Sequence, residues 1–235
     1  MYSRKQIVGN ESYTHITFRC LNREFLFKDK EVKIHILHLW AKYHRHYRIK
    51  IFAFIIMDNH AHMIVQTPSA EHLGHFMRTV NSQIARFINK FYERDSHALK
   101  ERYKSPIITD SIYMRRTLQY VWLNRYKVDS KDPSKDPFCS VSWQMHPDML
   151  KSYFGKYEKA KKFSDILTSL TELPASYKGT FQELRDLLND AIGRIKQLTK
   201  EIFQNEHTIG DPDVVLHRGQ MLNSGRKCYF RWVPT

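Results

Sequence analysis

Met57-Asp58-Asn59-His60-Ala61-His62-Met63 is the stretch on which the reading of this chain turns. Upstream of it, residues 49–57 are β-branched, aromatic or aliphatic apart from Lys50 and the small Ala53, the composition of a buried strand. Asp58 and Asn59 supply turn chemistry, and residues 60–66 resume as a second strand. Side chains alternate faces along a strand, so His60, His62, Ile64 and Gln66 share one face while Ala61, Met63 and Val65 point into a core. Two imidazoles on one face can grip a single divalent cation. A pair of surface histidines is the plainer alternative in a chain with 13 of them. The strand context and a helix further along favour the cation.

Outward from this stretch the pattern alternates strand and helix. Residues 12–21 read as a first strand, with Tyr13, His15, Thr17 and Arg19 on one side and Thr14, Ile16, Phe18 and Cys20 on the other. Residues 30–47 read as a helix carrying Val32, Ile36, Leu39 and Tyr43 at 4-3-4 spacing, ending in a basic, aromatic cluster over 42–48. A second helix is expected over about 69–92. Arg78, Ser82, Arg86 and Lys90 recur along it every fourth residue as a basic stripe, a pattern that an ordinary solvated face also produces. Residues 102–108 are extended, Thr109-Asp110-Ser111 can cap a helix running to about 126, and 127–137 form a boundary loop with two Asp-Pro pairs. Beyond it, helices are expected at about 155–171 and 178–205. This order is α+β: a largely antiparallel sheet with helices packed on one face, leaving the other, with the histidines, for a ligand.

Composition narrows the partners. The chain has 235 residues, 42% of them hydrophobic, and 38 Lys and Arg against 24 Asp and Glu, a formal net charge of +14. Residues 1–150 hold 24 basic and 14 acidic side chains, whereas 151–235 hold 14 and 10, so the excess is concentrated in the first part. A polyanion is the expected partner. Cys20, Cys139 and Cys228 are odd in number and lack metal-ligand spacing, which suits a reducing compartment. The N-terminus lacks a signal-peptide core and no apolar run reaches membrane-spanning length, so a cytoplasmic protein without a membrane partner is expected.

The helix expected over 111–126 carries two stripes. Met114, Leu118, Val121 and Trp122 should pack on the core; Tyr113, Thr117, Tyr120 and Asn124 lie on a neighbouring face. Tyr120 and Asn124 are one turn apart, with Cβ atoms about 6 Å from each other. A tyrosine can act as a nucleophile and an amide oxygen can complete a metal shell. Arg115, Arg116, Arg125 and Lys127 would surround them with positive charge. An isolated tyrosine, one of 13, would read as packing at a core edge; beside paired histidines the functional reading is the better one.

The run Ile55-Ile56-Met57-Asp58-Asn59-His60-Ala61-His62-Met63-Ile64-Val65, followed by Leu118-Gln119-Tyr120-Val121-Trp122-Leu123-Asn124, resembles the single-tyrosine HUH transposases, closest to the REP-associated tyrosine transposases and their insertion-sequence relatives. Arg102-Tyr103-Lys104-Ser105 and Pro137-Phe138-Cys139-Ser140 match the family's landmarks in order, over about residues 10–145. Two positions depart from the pattern: Asp58 stands where the family usually has proline, and Arg125 follows Asn124 where proline is usual. The resemblance implies a ferredoxin-like antiparallel sheet of the HUH endonuclease type over residues 1–146. A mainly helical extension over 147–235 would serve recognition or assembly.

The resemblance also implies cleavage and rejoining of single-stranded or hairpin DNA through a 5′-phosphotyrosine. Tyr120 would be the nucleophile, and His60, His62 and Asn124 would hold Mg²⁺ or Mn²⁺. Arg78, Arg86, Lys90, Arg102, Lys104, Arg115 and Arg116 are the expected DNA contacts, and the protein could act as a homodimer or a monomer. A replication initiator or relaxase-like nickase using Tyr113 or Tyr126, and a domesticated nucleic-acid-binding protein without cleavage, are the competing readings. A zinc deaminase is excluded by the lack of His-x-Glu and paired cysteines. A chain truncated near Pro147 is expected to keep cleavage of a long single strand while losing preference among hairpins in competition assays. A folded truncation without any cleavage would place a catalytic element in the extension.

Overall fold

Three strands make one antiparallel sheet in the order β1–β3–β2: β1 (Ser12–Arg19), β2 (Lys50–Ile56) and β3 (His60–Thr67). The computed structural model describes residues 12–146 apart from 101 and 130, together with the single residue Asp186. The helices expected at 155–171 and 178–205 lie outside the described residues. Within β1 the expected alternation holds: Thr14, Ile16 and Phe18 are buried while Tyr13, His15, Thr17 and Arg19 are half-exposed. Residues 98–100 and 102–108 run antiparallel along the outer edge of β1, bridging Thr14 to Ile107, Thr17 to Lys104 and Cys20 to Leu99. The segment takes the place of a fourth strand and completes a split β-α-β order of the ferredoxin-like kind. At the opposite edge, Ile56 N–H donates to Phe138 O at 2.9 Å and Phe54 N–H to Ser140 Oγ at 3.0 Å. Neither edge is left as a bare row of backbone groups.

Helices α1 (Lys30–Tyr43) and α2 (Ala70–Phe91) cover one face. Val32, Ile36, Leu39 and Trp40 from α1, and Leu73, Phe76, Val80, Ile84 and Ile88 from α2, join Ile16, Phe18, Phe54, Ala61, Met63 and Val65 in the main core. The Ser69 hydroxyl caps α2 by accepting from His72 N–H at 3.3 Å. The first helix ends at Tyr43, four residues short of the expected 47. Ile49 N–H returns to His44 O at 2.7 Å, and Arg48 adopts a left-handed φ of 53° that the helix cannot contain. In β2 the pairing slips between Ile51 and Ala53, so Phe52 is an extra residue. The bulge resets the alternation. Ile51, Phe54 and Ile56 therefore face the main core, while Ala53 and Ile55 face the same side as their partners Ile64 and His62.

That second side is crossed by α3 (Ser111–Asp129). Asp110 starts it by accepting from Tyr113 N–H at 2.8 Å, and Met114, Leu118, Val121 and Trp122 are buried as the apolar stripe requires. Trp122 Nε1–H donates to Ser140 Oγ at 3.0 Å, the same hydroxyl that accepts from the edge of β2. With arginine at 125, the helix continues to Asp129 and the boundary loop begins later than expected. A short α4 (Ser140–Met145) follows. Among the described residues no helix is long and apolar enough to cross a membrane.

Arg125 ties α3 to the turn before His60. Its Nη1 lies 3.3 Å from Asp58 Oδ1, which also accepts from Lys33 Nζ of α1 at 2.7 Å. Its Nε is 2.9 Å from Asp129 and 3.9 Å from Asp136, off the N–H direction in both cases. Burial pushes the Asp58 carboxyl up, but Lys33 and Arg125 together hold it below its ordinary value, whereas burial leaves Asp136 raised. Arg125→Ala should lower stability in urea denaturation by about 1–3 kcal/mol, the cost of stripping partners from half-buried carboxylates. Because the Asp58 pKa is depressed, the pair stabilises above the ordinary carboxylate range and is lost as pH falls through the lowered value. The gap between wild type and variant should therefore narrow in acid.

Candidate active site and metal centre

The site is assembled from β1, β3 and α3. In the β1–β3 ladder Thr17 lies opposite His62 and Arg19 opposite His60, so all four side chains stand on the face that α3 crosses. His62 is 4% exposed and Asn124, projecting from α3, is 7% exposed; the Asn124 Nδ2–H to His62 Nε2 distance is 3.4 Å. The Tyr120 ring, 43% exposed, meets the His62 ring edge-on with centroids 5.3 Å apart and the His15 ring at 5.8 Å. Lys127 Nζ sits 5.2 Å from the Tyr120 ring. The helix thus presents an accessible phenol at the rim and a buried amide beneath it.

The hydrogen bonds fix the tautomers. Asn59 Nδ2 donates to Arg23 O at 3.2 Å, which leaves its Oδ1 as the acceptor for His60 Nδ1–H at 2.6 Å. The proton on Nδ1 puts the His60 lone pair on Nε2. In His62 the Nδ1 lies 3.0 Å from Thr17 Oγ1 and 3.1 Å from His15 Nε2, so Nδ1–H has acceptors there and Nε2 presents its lone pair toward Asn124. Burial is the main cause that keeps His62 well below the usual histidine pKa, with the neighbouring His60 and His15 adding to it. A neutral imidazole with an oriented second nitrogen is the form a metal ligand needs.

Two Nε2 lone pairs and an amide can serve one cation. Turning the Asn124 amide over exchanges its nitrogen for its oxygen beside His62 Nε2. The 3.4 Å separation is close to the roughly 3 Å between adjacent ligands of an octahedral ion with 2.1 Å bonds. Among the described residues no group of three or more His, Cys, Asp or Glu surrounds a single point, so a cation here would have two imidazoles and an amide as its donors. Asp58, beside the ligands in sequence, is occupied by Lys33 and Arg125.

The structure brings His60, His62, Tyr120 and Asn124 together. Lys104 pairs with Thr17 across the edge of β1 and so stands on the same face, with Arg102 two residues before it. Arg115 and Arg116 are exposed on α3. Arg78, Arg86 and Lys90 are exposed on the outer side of α2, in the layer on the opposite side of the sheet. That stripe is not assembled with Tyr120, because the periodicity that makes a face solvent-exposed does not choose its layer. Arg125, expected among the surrounding cations, is instead held by carboxylates. His15 and Thr17, which hold His62, were missed as site residues. The β1 alternation places them on one face, but only the adjacency of β1 to β3 brings them to His62.

Residues 9–130 match the family described as Transposase IS200 like. The chain therefore belongs to the IS200-like transposases. Among solved structures it is similar to a REP-associated tyrosine transposase bound to a REP hairpin, with 18% identity over 77% of this chain and 98% of that one and a TM-score of 0.51, which shows the shared fold. A putative transposase from Deinococcus radiodurans R1 is a more remote likeness, at 13% identity over 53% of this chain and 97% of that one, with a TM-score of 0.37. No curated protein matches.

Burial of His15 holds its pKa down at about 4. In the metal-free protein its imidazole should stay neutral by nitrogen NMR until the pH nears that value. The unfolded chain takes up this proton near 6.5, so His15 should withdraw stability as pH falls from about 6.5 toward 4. A His15 that titrated near 6.5 would mean the site is open to water in solution.

Proposed function

We propose that this protein is a metal-assisted endonuclease and strand transferase acting on single-stranded, hairpin-associated DNA through a tyrosine nucleophile. The observation that carries the reading is the convergence, on one sheet face, of the accessible Tyr120 phenol with the buried His62 and Asn124. Membership of the transposase family gives the reaction class, and a relative of the same fold is bound to a REP hairpin, which favours a hairpin as the partner here. The formal charge of +14 fits a nucleic-acid partner.

Tyr120 Oη attacks phosphorus; the new Tyr–O–P bond forms as the P–O3′ bond breaks, and the phenol's proton passes in net terms to the departing 3′-oxygen. The products are a 5′-phosphotyrosine and a free 3′-hydroxyl. The linkage keeps the phosphodiester energy, so attack by a second 3′-hydroxyl reverses the step and rejoins strands without ATP. A Mg²⁺ or Mn²⁺ ion held by His60, His62 and Asn124 would polarise the phosphate. The protein's own part is to seat Tyr120 one helical turn from Asn124 on a helix fixed by Trp122 and Arg125. Lys127 Nζ lies 5.2 Å from the centre of the Tyr120 ring and adds positive charge beside it. One tyrosine breaks one strand per event, which suits a single-stranded substrate.

The nickase alternative, with Tyr113 or Tyr126 as nucleophile, finds less support. Tyr126 is 6% exposed, and the imidazole rings contact Tyr120. Tyr113 lies about two turns earlier on α3. Wild-type protein incubated with Mn²⁺ and a hairpin oligonucleotide labelled 3′ of the cut should give a denaturant-resistant adduct whose tryptic peptide carries the nucleotide on Tyr120. Tyr120→Phe should bind the hairpin within about twofold of wild type and form no adduct. His62→Ala should reduce cleavage by at least about 10²-fold. An adduct persisting in Tyr120→Phe, or full activity in excess chelator, would sink the assignment.

A further inference from the structure

On that reading of the site, we infer that Arg19 binds the scissile phosphate, placing its guanidinium on the non-bridging oxygens beside His60. Arg19 is the last residue of β1 and lies directly opposite His60 in the ladder. Such partners share a face, with Cβ atoms about 5 Å apart. The half-exposed parity of Arg19, shared with His15 and Thr17, agrees. The strand holds the base of its side chain firmly: Arg19 O accepts from Lys100 N–H at 2.9 Å, and the next residue, Cys20, donates N–H to Asn59 O at 2.8 Å.

Among the described residues the charge of Arg19 is uncommitted. Among the described residues no carboxylate pairs with it; Asp58 is taken by Lys33 and Arg125, and Glu24 by Arg94. A cation beside paired imidazoles suits an anion, and a guanidinium fork matches the two non-bridging oxygens of a phosphodiester. Lys104, set on the same face by its bridge to Thr17, continues the positive strip toward the neighbouring phosphates. During attack, negative charge grows on the non-bridging oxygens, so a fixed guanidinium there stabilises the transition state more than the ground state. Arg19 remains protonated and exchanges no proton.

The test is single-turnover cleavage of a hairpin oligonucleotide in Mn²⁺, using wild type, Arg19→Ala, Arg19→Lys and Arg19→Gln, each with a normal or a methylphosphonate linkage at the cut. Arg19→Ala should cleave the normal linkage about 10²–10³-fold more slowly, and Arg19→Lys should recover part of that loss. Melting temperature and Mn²⁺ affinity should stay near wild type. The methylphosphonate lacks the charge that Arg19 meets, so it should slow wild type strongly and Arg19→Ala little further. Arg19→Gln, which keeps most of the stem, replaces alanine if that variant fails to fold, with the same expected loss. Normal cleavage by Arg19→Ala or Arg19→Gln, or losses that simply multiply with the methylphosphonate, would overturn the assignment of Arg19 and leave the nuclease reading intact. Absence of cleavage by the wild type itself would overturn both.

Discussion

Everything at this site depends on one buried imidazole. His62 is held from β1 through its Nδ1, by Thr17 and His15, and faces α3 through its Nε2. A ring clasped from both sides in this way has one orientation. A shift of β1 by one residue against β3 would turn Thr17 to the other face and remove His15 from reach. A shift of α3 by one residue would rotate Asn124 by about 100° away from His62. The β1–β3 register and the seating of α3 are therefore parts of the active site as much as its side chains are.

The devices that hold α3 are correspondingly specific. Trp122 shares the Ser140 hydroxyl with the edge of β2, so the helix, the strand and the chain after the helix meet at one oxygen. The Phe52 bulge turns Ala53 and Ile55 toward α3 without disturbing Ile51 on the main core. Arg125 adds a polar tether to the turn that precedes His60. Asp58 and Arg125 are the two positions at which the sequence departs from the resembling family, and here they pair with each other. A turn and a helix end that proline would stiffen locally are instead held by a contact between them.

Much of this was legible in the sequence because the signals are local. Alternation assigned Ala61, Met63 and Val65 to the core and the histidines to the other face, and 4-3-4 spacing separated the buried stripe of α3 from Tyr120. What was not legible depends on which elements become neighbours. His15 sits 47 positions before His62 and has no local mark that sets it apart from the other histidines. The stripe of Arg78, Arg86 and Lys90 is expected as a DNA contact; the spacing accounts for its exposure, but its layer, on the opposite side of the sheet from Tyr120, follows from topology. Arg125 was one basic residue among four on its helix until the fold placed carboxylates around it. The end of α1 at Tyr43 rests on the left-handed Arg48, a conformation that arginine seldom announces.

Burial and charge divide the labour within the site. Desolvation disfavours the His62 and His15 imidazoles as cations, which leaves each ring neutral with a free lone pair on one nitrogen. The cations stand instead at the rim, on Arg19 at the end of β1, on Lys104 at the sheet edge and on Lys127 beside Tyr120. On the proposed function, a polyanionic strand would be attracted to the rim by charges that remain hydrated, and only one phosphate would need to leave water to reach the centre. An arrangement with the charges buried and the imidazoles exposed would carry the desolvation cost in the protein at all times. Here that cost would fall mainly on a bound state, where an oriented phenol and neutral imidazoles would meet a phosphate without first being reorganised.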